Sequence, residues 1–166
     1  GWCANTAGTT EGLTVVLDRE KMIPGKVQRH HIACEPFVKG GLFNTVAWEN
    51  TSGVLLKWFV DEFVREKGSD IKQIFSWLNE HMEPGPTGIL VLPHFSGAAT
   101  PHMDEQSKGA MVGLTLDTKR TDLYKAMMEG INYELALIME ALMEAGVEVG
   151  KIVSTGGSLS PQLLQI

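Results

Sequence analysis

The chain opens on short apolar alternations and changes period about a third of the way along. Thr14-Val15-Val16-Leu17 is β-branched and apolar, and the turn-prone Gly8-Thr9-Thr10 precedes it. A β-hairpin of residues 3–7 against 12–17 is therefore expected. Residues 19–26, which contain Pro24-Gly25, read as a loop by their turn chemistry. A third strand near residues 31–34, stopped by Pro36, would complete an antiparallel group.

From Thr51 the apolar step lengthens. Leu55, Leu56, Phe59, Val60 and Phe63 recur at three- and four-residue intervals, with Lys57, Asp61, Glu62 and Arg65 mostly between them. This predicts an amphipathic helix capped by Ser52 or Thr51. A second helix over residues 70–81 would bury Ile71, Ile74, Phe75 and Leu78, and Pro84-Gly85-Pro86 ends it. Ile89-Leu90-Val91-Leu92 follows as a short buried strand, and residues 95–109 form an irregular loop. The longest helix spans residues 122–145, with Leu123, Met127, Ile131, Leu135, Ile138 and Leu142 on one face and Gly146 in the left-handed position beyond it. A strand at Ile152-Val153-Ser154, the pair Gly156-Gly157 and a helix opening at Pro161 complete the pattern. The reading is an α/β domain whose sheet is covered by helices.

Composition narrows the classes. The chain has 166 residues, of which 43% are hydrophobic, a share typical of a folded globular domain. No apolar run reaches the ~18 residues that span a bilayer, and the first residues lack the basic leader and apolar stretch of a signal peptide. A net charge of −6 spread along the chain argues against a nucleic-acid partner. The two cysteines, Cys3 and Cys34, have no metal-ligand spacing, and a reduced cytosolic setting is the simpler reading. The first residue is not methionine and the last, Ile166, falls inside an expected helix, so further sequence is expected on both sides.

Two turns have the make-up of anion cradles. Asn5-Thr6-Ala7-Gly8-Thr9-Thr10 sets a glycine among hydroxyl residues, although many ordinary hairpin turns share that composition. Ser154-Thr155-Gly156-Gly157-Ser158 links a strand to a helix start, where free amides and the helix dipole meet a negative ligand. It has neither Walker nor Rossmann spacing, and a tight strand-to-helix connection needs glycine too. The adjacent His30-His31 would face opposite sides of a strand, and His94 and His102 have no ligand-spaced partner. Ser96-Gly97 and Ser160 lack a nucleophile-elbow setting.

Taken in order, these segments resemble the FGGY carbohydrate kinases, the group containing glycerol kinase and xylulokinase, over essentially the whole chain. Asn5-Thr6-Ala7-Gly8-Thr9 is similar to the family's second phosphate hairpin, and Ser52-Gly53-Val54-Leu55-Leu56-Lys57-Trp58 to the helix start that approaches the nucleotide. Leu92-Pro93-His94-Phe95-Ser96-Gly97, Thr100-Pro101-His102-Met103-Asp104 and the run from Lys108 to Thr115 follow the family's Pro-x-x-Ser/Thr-Gly, Pro-x-Trp-Asp and Arg-Gly-x-x-x-Gly-Leu-Thr series. Glu129-Gly130-Ile131-Asn132-Tyr133 resembles the core of its long helix, and Thr155-Gly156-Gly157 its adenosine motif.

The resemblance implies a ribonuclease H-like domain of the actin-like ATPase fold, α/β with a mixed sheet and helices on its faces. Residues 1–166 would be the C-terminal, ATP-binding domain, truncated at both ends. The implied activity is ATP-dependent phosphorylation of a sugar or polyol hydroxyl, with Mg²⁺, in the cytoplasm. Gly8 and Thr9 would contact the β/γ-phosphates, Gly53 and Lys57 would line the nucleotide site, and Gly157 would lie against the adenosine. Lys57 stands where glycerol kinases carry glutamine, Pro161 where they have an asparagine contacting the base, Met103 for a tryptophan and Lys108 for an arginine. The general-base aspartate is expected upstream of Gly1, so no catalytic residue and no metal ligand is assigned among Asp18, Asp61, Asp104 or any other side chain here. Expected partners are the sugar or polyol, the protein's own N-terminal domain and a second copy in a homodimer, with no nucleic acid and no membrane. A nucleotide-responsive actin- or chaperone-like ATPase scaffold is the alternative. The Thr-Pro-His-Met-Asp and Gly-Leu-Thr segments fit the kinases instead.

Overall fold

The structure, a computed structural model, describes residues 1–157. Its strands are β1 (Trp2–Ala7), β2 (Glu11–Asp18), β3 (Ala33–Pro36), β4 (Leu42–Glu49), β5 (Leu90–Leu92), β6 (Ala110–Val112) and β7 (Lys151–Thr155). Its helices are α1 (Pro24–Arg29), α2 (Gly53–Phe59), α3 (Ile71–Glu80) and α4 (Arg120–Glu144). Five strands form one mixed sheet in the order β3-β4-β2-β1-β7, and β5 pairs with β6 in a separate ladder. The expected hairpin is present, with Cys3 opposite Val15, and β7 returns parallel to β1 with Cys3 opposite Ile152.

Alternation along the strands places Cys3, Asn5, Ala7, Leu13, Val15 and Ala47 on one buried face. Cys3, Leu13, Val15 and Ala47 pack with Ile138 and Leu142 from the C-terminal half of α4. A second apolar core joins α2, Leu78 of α3, Val91 of β5 and residues Tyr124, Met127, Met128 and Ile131 of the N-terminal half of α4. Gly130 makes this second core compact: a Cβ there would come within 2.5 Å of the Val91 carbonyl oxygen. The backs of the α4 turns are buried too, because Lys125 donates to the Glu83 carbonyl at 2.6 Å and Glu129 accepts from the Thr87 amide at 3.0 Å. Gly146, at φ 87°, takes the left-handed position expected past α4, and Val147 N closes the turn on Leu142 O at 3.0 Å.

Several expectations need correction. The supposed loop at residues 19–26 holds a 3₁₀ turn and the start of α1. Pro24 occupies the first helical turn, where its missing N–H would be unpaired in any case. The chain leaves α1 through His30 and His31, the latter at φ 52°, so these histidines lie in a turn and the strand begins only at Ala33. Strand β4 was not expected: its buried Thr45, whose hydroxyl donates to Val15 O at 3.0 Å, interrupts the apolar alternation that marks a strand. Only Val91 of β5 is buried, so the segment is an outlying ladder rather than a core strand. Helix α2 passes at Val60–Val64 into a single π-helical turn. Neither expected cap acts as one, since the Thr51 hydroxyl donates to Pro93 O and the Ser52 hydroxyl to Glu11. The helix expected at Pro161 lies outside the described residues.

Candidate functional site

A cleft of about 620 Å³ opens where the β1–β2 turn, the start of α2 and the end of β7 converge. Gly8, Thr9, Gly53, Lys57 and Gly157, the five residues singled out from the sequence, all line it. The turn closes on itself through Gly8 N to Thr10 O at 2.9 Å. Its two carbonyls then accept from the start of α2: Ser52 N donates to Thr9 O at 3.1 Å and Gly53 N to Gly8 O at 3.0 Å. Gly53 lines the cleft, and its amide fastens the turn to the helix.

Lys57 lies one turn further along α2 and is ion-paired with Asp61, whose other oxygen accepts from Arg65 at 3.2 Å. The hydrogen bond from Lys57, with Arg65 adding to it, holds the Asp61 carboxyl below its ordinary range. At the end of β7 the two glycines divide the work. Gly156 sits at φ 137° with its α-carbon so near Ala7 that an added Cβ would collide with the Ala7 carbonyl oxygen. A Cβ on Gly157 would meet nothing within 4 Å among the described residues, and this residue lines the cleft.

The far wall was not anticipated. It comes from α3 and α4: Lys72, Phe75, Ser76, Asn79, Tyr124 and Met128. The Tyr124 hydroxyl donates to Asn79 Oδ1 at 3.2 Å, and its ring lies 6.1 Å from that of Phe75. Burial pushes the Tyr124 phenol up to about 12, so it remains a donor at neutral pH. Only the placement of Phe75, Ser76 and Asn79 on adjoining turns of α3 could have hinted at this wall, and nothing in the sequence aims that face at the glycine turns. The lining thus combines apolar and aromatic side chains with three glycines. Among the described residues it carries two lysines and no Asp or Glu, although the chain as a whole bears −6.

The remaining candidates stand apart. Asp18, Asp61 and Asp104 do not line the cleft. His94 is buried, with Nδ1 2.7 Å from Ser107 Oγ and Nε2 3.4 Å from Glu134 Oε1, and its ring lies 6.1 Å from that of His102. Among the described residues no group of three or more His, Cys, Asp or Glu could hold a metal ion. Cys3 is buried, and the exposed Cys34 has its Sγ 3.5 Å from Met22 Sδ.

Beneath the cleft, between the two apolar cores, lies a polar seam. The buried Glu11 carboxylate accepts from Asn5 Nδ2 at 2.7 Å and from Ser52 Oγ at 2.9 Å. Glu49, its register partner on β4, is 3% exposed, and neither of its carboxylate oxygens has a hydrogen-bond partner among the described residues. Burial first, then the nearby Glu11 and Glu134, pushes the Glu49 carboxyl well above its ordinary value. A carboxyl whose folded value is raised favours folding below the unfolded value near 4.5 and loses that contribution as pH rises toward the folded one. Glu49→Gln in the full-length protein should accordingly melt above wild type at pH 8. The gap should be a few degrees, at about 2–4 °C per kcal/mol, and should close toward pH 4.5. Thermal melts across that range check it, and a gap that does not vary with pH would contradict it.

The antiparallel hairpin continued by β4, the parallel return of β7 after a long helix and a cleft at the strand ends define a domain of the actin-like ATPase fold. Solved structures bear this out. A xyloylose kinase from Brucella ovis superposes with a TM-score of 0.80 at 22% identity, over 95% of this chain and 31% of its own. A Plasmodium falciparum glycerol kinase with ADP superposes with a TM-score of 0.78 at 20% identity, over 98% and 32%. The profile of the FGGY family of carbohydrate kinases, C-terminal domain, matches residues 3–166, and the chain belongs to that family. A gluconokinase of Bacillus subtilis is 26% identical over 166 residues, 95% of this chain. The chain spans 31% of that relative's length.

Proposed function

We propose that this chain supplies the nucleotide-binding half of an ATP-dependent kinase that phosphorylates a sugar or polyol hydroxyl in the cytoplasm. The observation that carries the reading is the cleft: Gly8, Thr9, Gly53, Lys57 and Gly157 converge on one cavity, whose lining among the described residues has two lysines and no acid. An adenine ring suits the side chains of Phe75, Tyr124, Met128 and Leu56, and a polyphosphate suits Gly8, Thr9 and Lys57. The gluconokinase relative and the glycerol kinase solved with ADP support the same assignment.

Phosphoryl transfer asks the protein for placement and charge neutralisation rather than covalent steps. Here Thr9 would donate its hydroxyl to a phosphate oxygen, and Lys57 and Lys72 would supply positive charge. Among the described residues the lining brings no carboxylate, so Mg²⁺ would arrive coordinated by the phosphates and water. The group that takes the sugar's proton is assigned to no residue of this chain, and the opposing wall would come from the protein's N-terminal domain.

The test is a coupled ADP-release assay on the full-length protein with pentoses, hexoses and polyols. Sugar-dependent ADP release is expected, and its absence across the panel would reject the kinase reading. Thr9→Ala should cost about 1.5–3 kcal/mol, roughly a 10–150-fold rise in the KM for ATP or an equivalent fall in kcat/KM. Unchanged constants would make the Gly8-Thr9 turn an ordinary hairpin.

A further inference from the structure

The three segments that bring glycines to the cleft lining are far apart in sequence, and one buried side chain joins them. Glu11, immediately after the Gly8-Thr9 turn, is 2% exposed. One of its oxygens accepts from Ser52 Oγ at 2.9 Å, at the residue preceding α2 and the cleft-lining Gly53. The other accepts from Asn5 Nδ2 at 2.7 Å, and the same amide nitrogen donates to Ser154 Oγ at 3.3 Å, on β7 two residues before Gly156. Asn5 and Ser52 are 3% and 1% exposed, so water does not compete for these bonds.

We propose that Glu11 is the positioning residue of the cleft, its carboxylate holding the Gly8-Thr9 turn, the α2 start and the Gly156-Gly157 turn in mutual register through Ser52 and through Asn5 to Ser154. The chemistry favours a carboxylate over a neutral side chain. It offers two acceptor oxygens at a fixed angle to two donors, and charge-assisted bonds are shorter and about twice as strong as neutral ones. No Lys or Arg bonds to Glu11 among the described residues, so the fixed dipoles of Asn5 and Ser52 hold its charge. Those dipoles are thereby fixed in return. The backbone bonds from Ser52 N and Gly53 N already dock the turn on α2, but Asn5 and Ser154 extend the network sideways to β7. Glu49 on the neighbouring strand adds no donor to this network, and its own two oxygens are unpartnered among the described residues. The bridge therefore rests on Asn5 and the two serines.

This inference rests on the cleft being a nucleotide site, and the test separates the two. In the full-length protein, Glu11→Ala should weaken ATP binding about 10–30-fold by calorimetry while sugar affinity stays within twofold. Glu11→Gln keeps one acceptor for Asn5 and lets its amide donate to Ser52, so it should restore affinity to within about threefold of wild type. Ser154→Ala removes only the outermost hydroxyl and should cost about threefold, without adding to Glu11→Ala in the double variant. It carries the same question if Glu11→Ala does not fold. Equal losses for ATP and sugar, additive effects, or no rescue by Gln would overturn the positioning role. If wild type binds no ATP, the kinase reading falls, and hydrogen exchange decides the rest. Ser154→Ala should then speed exchange at residues 8–10 and 156–157 together at least about threefold. Exchange unchanged in either turn would show that the turns are independent.

Discussion

Gly156→Ala is expected to lower the melting temperature of the full-length protein by about 6–12 °C. Two costs combine at this position. At φ 137° an L side chain is strained, typically by about 1–3 kcal/mol. The added methyl would also meet the carbonyl oxygen of Ala7, a buried β1 residue paired with Glu11 of β2 and so not free to withdraw. Overpacking of this kind adds about 1–3 kcal/mol more. A total near 3 kcal/mol, at about 2–4 °C per kcal/mol, gives the stated range. Differential scanning calorimetry is the check. A variant that melts within 2 °C of wild type would mean that β7 can stand further from β1 than the structure shows.

Its neighbour should behave in the opposite way. Gly157→Val adds bulk to the cleft lining, where a Cβ has nothing within 4 Å among the described residues, so stability should hold while ATP binding falls. Displacing a ligand from filled space costs about 1–3 kcal/mol, roughly 5–150-fold in affinity. Calorimetric titration with ATP and with sugar, run separately, reads this directly. Loss of both together would indicate misfolding, and undiminished ATP affinity would remove Gly157 from the site. Two adjacent glycines would thus separate into one that the fold requires and one that the ligand requires.

The parts of the site that could be read from sequence are those whose chemistry is local. Gly8-Thr9 and Gly156-Gly157 announce themselves because turns draw on few residue types, and Gly146 does so for the same reason. Lys57 and Gly53 came instead from the resemblance of residues 52–58 to the FGGY helix start, since the helical period of Leu55, Leu56 and Phe59 marks only the helix. The wall of Phe75, Asn79, Tyr124 and Met128 was not legible, because it depends on how α3 and α4 lean together, and periodicity says which face is apolar without saying what it meets. Strand β4 was hidden by its buried Thr45, and α1 by a proline that signals a loop in most settings but a helix start in this one. The polar seam was invisible for a further reason: Glu11, Glu49, Ser52 and Glu134 come from separate elements, and each alone looks like a solvated surface residue.

The 25-residue helix α4 is common to both apolar cores, with Ile131 in one and Ile138 in the other, and the buried Glu134 falls between them at the seam. Apolar contact is indifferent to direction and resists separation more than sliding. A hydrogen bond weakens steeply once its angle is lost, so it resists sliding above all. Cohesion and alignment are consequently assigned to different atoms in this fold. Trimming a core leucine should loosen the molecule while leaving the strand ends and α2 correctly aligned. Trimming a seam donor such as Asn5 should do the reverse, leaving a well-folded protein whose cleft is out of true.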